Sequence, residues 1–100
     1  MAVKLVIAPE AQSDIVDSFG WYEQRRAGLG DEFFSCVDAC IESIQRTPDS
    51  YQRVYQSFRR AVVRRFPFAV IYEYEGDRVT IYAVFHNSRD PQKWKSRISL

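Results

Sequence analysis

The chain is poor in the residues that most metal, disulfide and redox chemistry requires: its 100 residues hold two cysteines and one histidine. A structural zinc site needs four Cys or His ligands. Cys36 and Cys40 have no third cysteine to join them, and His86 is far along the chain. Their spacing of four instead suits two reduced thiols on one side of a helix in a reducing compartment. No metal and no cofactor is expected. Glycine and proline, four of each, are too few for a low-complexity or linker segment, so each one marks a particular turn or boundary. No apolar run approaches the roughly 18 residues of a membrane span. The apolar stretch before Pro9-Glu10 is too short for a secretory h-region, so a cytoplasmic location without membrane attachment is expected. Charge of one sign is missing as well: 14 basic residues face 13 acidic ones, for a net charge of +1, which by itself predicts no partner. The P-loop, HExxH, CxxC and nucleophile-elbow patterns are all absent, leaving nucleotide-hydrolase, zinc-enzyme and serine-hydrolase readings without support.

What is present is the composition of an ordinary globular domain, 46% hydrophobic and 27% charged. One hundred residues bury one core rather than two, so residues 1–100 are expected to form a single domain. The charges are unevenly spread. Acidic residues dominate from Glu10 to Asp49. Most of the positive charge falls in the second half, at Arg53, Arg59, Arg60, Arg64, Arg65, Arg78, Arg89, Lys93, Lys95 and Arg97.

Periodicity gives the elements. Residues 2–7, AVKLVI, read as a short strand. Pro9 suits the first turn of a helix and Glu10 its positive end. That helix is expected to run to about Arg26, with Ala11, Ile15, Phe19 and Tyr22 forming its apolar stripe. Gly28-Leu29-Gly30 breaks the pattern, and a second helix follows from Leu29 or Asp31 to Gln45 before Thr47-Pro48. Its stripe is Phe33, Val37, Cys40, Ile41 and Ile44. Two helices so closely joined make an αα-hairpin. Three Val-, Ile-, Phe- and Tyr-rich strands then follow at 58–65, 68–75 and 78–86, separated by Phe66-Pro67 and Gly76-Asp77. Asp90-Pro91 opens a terminal helix, with Asp90 as cap. The order β-α-α-β-β-β-α predicts an α+β two-layer domain: a twisted, mainly antiparallel sheet with the helical hairpin on one face.

If both strand connections are two-residue hairpins, Glu75 faces Arg78, Glu73 faces Thr80, Ile71 faces Tyr82 and Ala69 faces Val84, while Arg64 faces Ala69 and Val62 faces Ile71. A longer Pro67 turn is the alternative. Alternation then separates two surfaces. The core side carries Ala61, Val63, Phe68, Val70, Tyr72, Tyr74, Val79, Ile81, Ala83 and Phe85. The open side carries Arg60, Val62, Arg64, Ala69, Ile71, Glu73, Thr80, Tyr82, Val84 and His86, a mixed surface rimmed with cations. Of each arginine pair, Arg59-Arg60 and Arg64-Arg65, one member should point to either side.

The segment FRRAVVRRFPFAVIYEYEGDRVTIYAVFHNSRDPQKWKSR closely resembles the C-terminal half of the ParE/RelE superfamily of type II toxin–antitoxin toxins, often labelled plasmid stabilisation proteins. The opening LVIAPEAQSDIVDSFGWYEQ resembles that family's first strand and PEA-type first helix. The resemblance spans nearly the whole chain, and HNSRDPQKW is its most specific part. It implies a cytoplasmic toxin held inactive by a cognate antitoxin, as a homodimer or a heterotetramer with it. Two activities divide the superfamily. ParE-like members bind DNA gyrase; RelE-like members cleave mRNA on the translating ribosome with basic residues of the open sheet face.

The match to the nuclease set is partial. Arg60 lies where a catalytic lysine belongs and Arg89 matches a later arginine. Val62 replaces the second lysine, Ala69 the strand arginine, and Trp94 lies near a C-terminal tyrosine. The first reading is therefore a ParE-like binder whose target contacts are Arg89, Lys93, Trp94 and Arg97, on a surface spanning Phe85 to Arg97. The alternative is an endoribonuclease using Arg60, Arg64, His86 and Arg89, with His86 as acid or base. Trp21, Tyr22 and Phe34 exceed what two helical stripes need and are candidates for antitoxin binding. The plainer readings are a hydrogen-bonded structural His86, Asp90 as a helix cap, and Trp94 and the helix aromatics as packing residues.

Overall fold

The computed structural model describes residues 3–88 and Ser96. Its elements are β1 (Lys4–Ile7), α1 (Pro9–Arg25), α2 (Leu29–Arg46), β2 (Arg53–Tyr55), β3 (Phe58–Val62), β4 (Phe68–Glu75) and β5 (Arg78–His86). They form one sheet of order β1-β5-β4-β3-β2 with the two helices on one face. β1 runs parallel to β5 at one edge, while the other pairings are antiparallel. The α+β layering is as expected. The helix anticipated from Asp90, with Arg89, Lys93, Trp94 and Arg97, falls outside the described residues.

The helical hairpin is set by two glycines and one carboxylate. Gly28 caps α2 with φ of 90°, a left-handed conformation that costs a glycine little. Gly30 lies where a Cβ would sit 2.8 Å from the Phe19 carbonyl oxygen, so only a bare backbone lets the helices approach so closely. Glu23 finishes the turn. Its two carboxylate oxygens accept the N–H groups of Gly28 and Gly30, each at 2.9 Å, satisfying donors that an α-helix start leaves without partners.

Below the hairpin, Ala11 and Ile15 of α1 and Phe33, Val37, Ile41 and Ile44 of α2 meet Ala61, Val63, Phe68, Val70, Tyr72, Val79, Ile81 and Val84 of the sheet side. Arg59 points inward and ties down the segment after α2, donating to the carbonyl oxygens of Asp49 and Tyr51 at 3.1 and 2.6 Å. Tyr72 helps from within the core, donating its hydroxyl to the Pro48 carbonyl at 2.6 Å. Arg60 lies on the other side, so the first arginine pair divides between faces as anticipated.

Three features depart from the sequence expectation. First, residues 53–55 form β2, which pairs with Phe58 and Arg59 of β3 across a turn at Gln56 and Ser57. Three residues are too few for period-two alternation to stand out.

Second, β3 ends at Val62, and its pairing with β4 puts Arg60 opposite Ile71 and Val62 opposite Ala69. Val63 and Phe68 still bond, Val63 N–H to Phe68 O at 2.9 Å. The Pro67 connection is therefore a four-residue loop over residues 64–67, with Arg65 at φ of 71°. The longer turn is the correct one, and Arg64 and Arg65 belong to it rather than to a strand.

Third, β5 holds a bulge. Tyr72 faces Ile81 but Ile71 faces Ala83, leaving Tyr82 without an opposite residue. Beyond it Val70 faces Val84, Ala69 faces Phe85 and Phe68 faces His86. Every side chain after the bulge changes face. Val84 joins the core under the helices, while Ala83 and Phe85 move to the opposite side. The bulge falls where β5 loses its neighbour: β1 ends with Ile7 opposite Ile81, and Ala8 N–H closes that pairing on Ile81 O at 2.9 Å. The Asp14 carboxylate of α1 takes over, accepting the Val84 N–H at 3.0 Å.

The core contains a proton-linked liability. Burial pushes the Cys40 thiol up to about 11. Burial likewise raises the Tyr72 hydroxyl, against a smaller downward pull from Arg59. An unfolded cysteine loses its proton near pH 8.5. Between roughly pH 8.5 and 11 the unfolded chain therefore binds fewer protons than the folded one, and stability falls as pH rises. Urea midpoints measured across that window should decline, and the decline should be shallower for Cys40→Ala.

Candidate functional site

The bulge places His86 on the helix side of the sheet, opposite the face the alternation predicts. Its ring stands edge-on to Phe68 at 5.2 Å between centroids. The Ser88 N–H donates to His86 Nδ1 at 3.1 Å, and the Ser88 hydroxyl lies 2.8 Å from the same nitrogen. A nitrogen that accepts a backbone N–H carries no proton of its own, so this geometry selects the Nε2–H tautomer.

The histidine opens onto a cavity of about 330 Å³ lined by Asp17, Ser18, Trp21 and Tyr22 of α1 together with Phe68, His86 and Ser88. Residues 17, 18, 21 and 22 recur at the three- and four-residue spacing of one helix face, which is why α1 supplies a wall. Tyr22 joins this wall to the core. Its ring meets Trp21 at 5.0 Å, Phe33 at 5.3 Å, Phe66 at 5.0 Å and Phe68 at 6.0 Å. Trp21 remains 46% exposed, with the Arg25 guanidinium 3.9 Å from its ring centroid. A rigid, wet-edged aromatic beside a carboxylate and a ring N–H donor has the makeup of a protein-binding anchor. The helix spacing that singles out Trp21 and Tyr22 also contains Asp17 and Ser18, and Phe68 lies on the core side as alternation predicts, but His86 enters the wall only through the bulge.

Phe34 stands apart on α2. It is 51% exposed and lies outside the cavity lining, so of the three residues expected to meet an antitoxin only Trp21 and Tyr22 share a site. The residues of the nuclease alternative are dispersed. Arg60 lies on the face away from the helices and donates to Asn87 Oδ1 at 2.8 Å. Arg64, in the Pro67 loop, lines a separate groove beside α2. His86 is in the Trp21 cavity on the helix side. Arg89 is outside the described residues, as are Lys93, Trp94 and Arg97.

The face away from the helices keeps Arg60 but has an apolar centre, and Val84 and His86, expected there, lie on the helix side instead. Phe58, Ile71 and Ala83 are buried at that centre, with Tyr55, Tyr82 and Phe85 packed around them. Phe58 and Tyr82 meet edge to face at 5.1 Å. Burial, followed by the neighbouring Glu73 and its hydrogen bond, raises the Tyr82 hydroxyl, which therefore stays protonated as a donor to that carboxylate. No group of three or more His, Cys, Asp or Glu side chains arranged to hold a metal occurs among the described residues. No helix there is long and apolar enough to cross a membrane.

A five-stranded mixed sheet with an αα-hairpin on one side, and an aromatic cavity between that hairpin and β5, defines a small two-layer α+β domain. The model of the family described as "ParE toxin of type II toxin-antitoxin system, parDE" matches residues 5–91, so the chain belongs to the ParE toxin family. It is similar to Toxin ParE2 of Mycobacterium tuberculosis, in strains CDC 1551 / Oshkosh and H37Rv alike, at 23% identity over 100 residues, covering 99% of this chain and 95% of the relative. In fold it is similar to a chain of the chromosomal ParDE TA system from P. aeruginosa. That similarity has a TM-score of 0.67 at 14% identity and covers 85% of this chain and 96% of the other.

Proposed function

We propose that this ParE-family toxin acts by binding an essential target such as DNA gyrase and is neutralised by a cognate antitoxin seated on the Trp21–Tyr22 wall. The observation that carries the reading is the cavity between α1 and the end of β5, with Trp21 half exposed at its rim. Partly exposed aromatic anchors of this kind dominate the energetics of protein interfaces. The antitoxin half of the reading is also supported by the P. aeruginosa neighbour, which comes from a ParDE toxin–antitoxin system. Target contacts are assigned to Arg89, Lys93, Trp94 and Arg97 on the strength of the HNSRDPQKW resemblance. An RNA-cleaving activity is not favoured, because activating a 2′-hydroxyl and stabilising a phosphorane need several groups converging on one phosphate. Arg60, Arg64 and His86 lie on different surfaces.

The test is induction of the protein without its antitoxin, with gyrase-dependent supercoiling and transcript integrity followed in the same cells. Trapped gyrase–DNA complexes over intact transcripts are expected. New cuts confined to translated codons would overturn the reading.

A further inference from the structure

The lining of the His86 cavity is unbalanced in charge. Asp17 is its one residue with a full charge, since His86, whose Nδ1 accepts the Ser88 N–H, brings none in that tautomer. Asp17 is exposed, and among the described residues it has no hydrogen-bond or ion-pair partner; both ion pairs there belong to Glu32. The rest of α1 adds to the imbalance, with Glu10, Asp14, Asp17 and Glu23 against Arg25 alone. Asp14 and Glu23 are already committed to backbone N–H groups, of Val84 and of Gly28 and Gly30. Asp17 is therefore the carboxylate at the cavity that the fold itself does not use.

The other side of the wall is aromatic, made by Trp21, Tyr22 and Phe68. A side chain that fills the cavity must offer apolar or π surface to these rings and a donor to Asp17. An aliphatic or aromatic residue would cover the carboxylate without pairing it, which is costly for a charge. An acidic residue would be repelled. Arginine satisfies both demands at once, because its planar guanidinium stacks on an indole while its fork of donors matches a carboxylate. Trp21 already holds one such group: the Arg25 guanidinium lies 3.9 Å from its ring centroid, outside the cavity lining.

We propose that the cavity is a socket for one arginine of the antitoxin, paired with Asp17 and stacked on the cavity side of Trp21, and that Asp17 is the residue that selects it. This rests on the antitoxin reading of the Trp21–Tyr22 wall and adds the chemistry of the group that enters. The rings supply affinity for many side chains. Asp17 supplies the discrimination, because a covered, unpaired carboxylate penalises every partner that lacks the cation.

The purified toxin is titrated with its cognate antitoxin, and each antitoxin arginine is changed in turn to alanine. Asp17→Asn, which keeps the size of the side chain, should weaken the complex about tenfold at low salt and by less as salt rises. Its melting temperature should match the wild type, because Asp17 is exposed and unpaired in the free toxin. One antitoxin arginine should reproduce the loss on its own, and combining its alanine variant with Asp17→Asn should cost nothing further, whereas the other arginines should add independently. Wild-type affinity for Asp17→Asn beside a weakened Trp21→Ala would overturn the arginine socket and leave the antitoxin seat standing. Additivity between Asp17→Asn and every arginine would overturn it as well. Wild-type affinity for both toxin variants would overturn the socket and the seat together.

Discussion

Trp21→Ala is expected to release the toxin from its antitoxin. Trp21 is the cavity's exposed aromatic, braced edge-on by Tyr22 and flanked by Arg25. Truncating a tryptophan anchor of this kind typically removes about 2–4 kcal/mol of binding energy, which corresponds to a roughly 30- to 1,000-fold weaker complex. The fold should survive, because the ring lies outside the buried core. Cells co-expressing the variant with its cognate antitoxin should arrest where the wild-type pair grows. Titration of the purified proteins should show the loss mainly as faster dissociation. Unchanged affinity would move the antitoxin to another surface, and Phe34→Ala, 51% exposed on α2, is the natural second variant. A drop for Phe34 alone would place the interface on α2, away from the His86 cavity.

Phe33→Ala should have the largest effect on stability, about 3–5 kcal/mol. Phe33 is fully buried and meets Tyr22, Phe66 and Phe68 at centroid distances of 5.3, 5.4 and 4.9 Å. It thus joins α2, α1, the Pro67 loop and β4 at a single point. Alanine would leave a cavity whose walls are held by three separate elements and cannot readily collapse, which places the variant towards the upper end of such losses. At about 4–8 °C per kcal/mol for a domain of this size, the melting temperature should fall by tens of degrees. A calorimetric scan measures this directly, and a fall of only a few degrees would mean that the aromatic cluster is far more compliant than its geometry implies. Toxicity should be lost with the fold. Phe33→Leu, which retains most of the volume, should restore much of both.

The particular elements show how far local pattern reaches. α1 and α2 were legible because apolar residues recur at helical spacing: of the expected stripes, Ala11, Ile15, Phe33, Val37, Ile41 and Ile44 are buried, while Phe19, Tyr22 and Cys40 are half-buried. β4 and β5 were legible through β-branched and aromatic density on either side of Gly76-Asp77, and Glu75 pairs with Arg78 as expected. Family resemblance was legible too, since the HNSRDPQKW segment and the PEA opening are contiguous in sequence. β2 was not, being three residues whose only support is β3. Trp21 and Tyr22 could be singled out as surplus aromatics. Their meeting with His86 could not be foreseen.

The amino-acid order by itself therefore determined the element types, the two-layer class, the helix core positions and the family, because each depends on residues close together in the chain. The tertiary structure alone decided which face each side chain after Tyr82 occupies. Period-two alternation predicts a face only while the ladder is unbroken, and one extra residue reverses it. Whether that residue is tolerated depends on distant groups: β1 ending opposite Ile81, and Asp14 supplying the acceptor that Val84 N–H requires. Nothing in the local sequence of β5 encodes either condition. The helix and strand positions are set by local chemistry, while the surface that His86 faces is set by a hydrogen bond spanning 70 residues of chain.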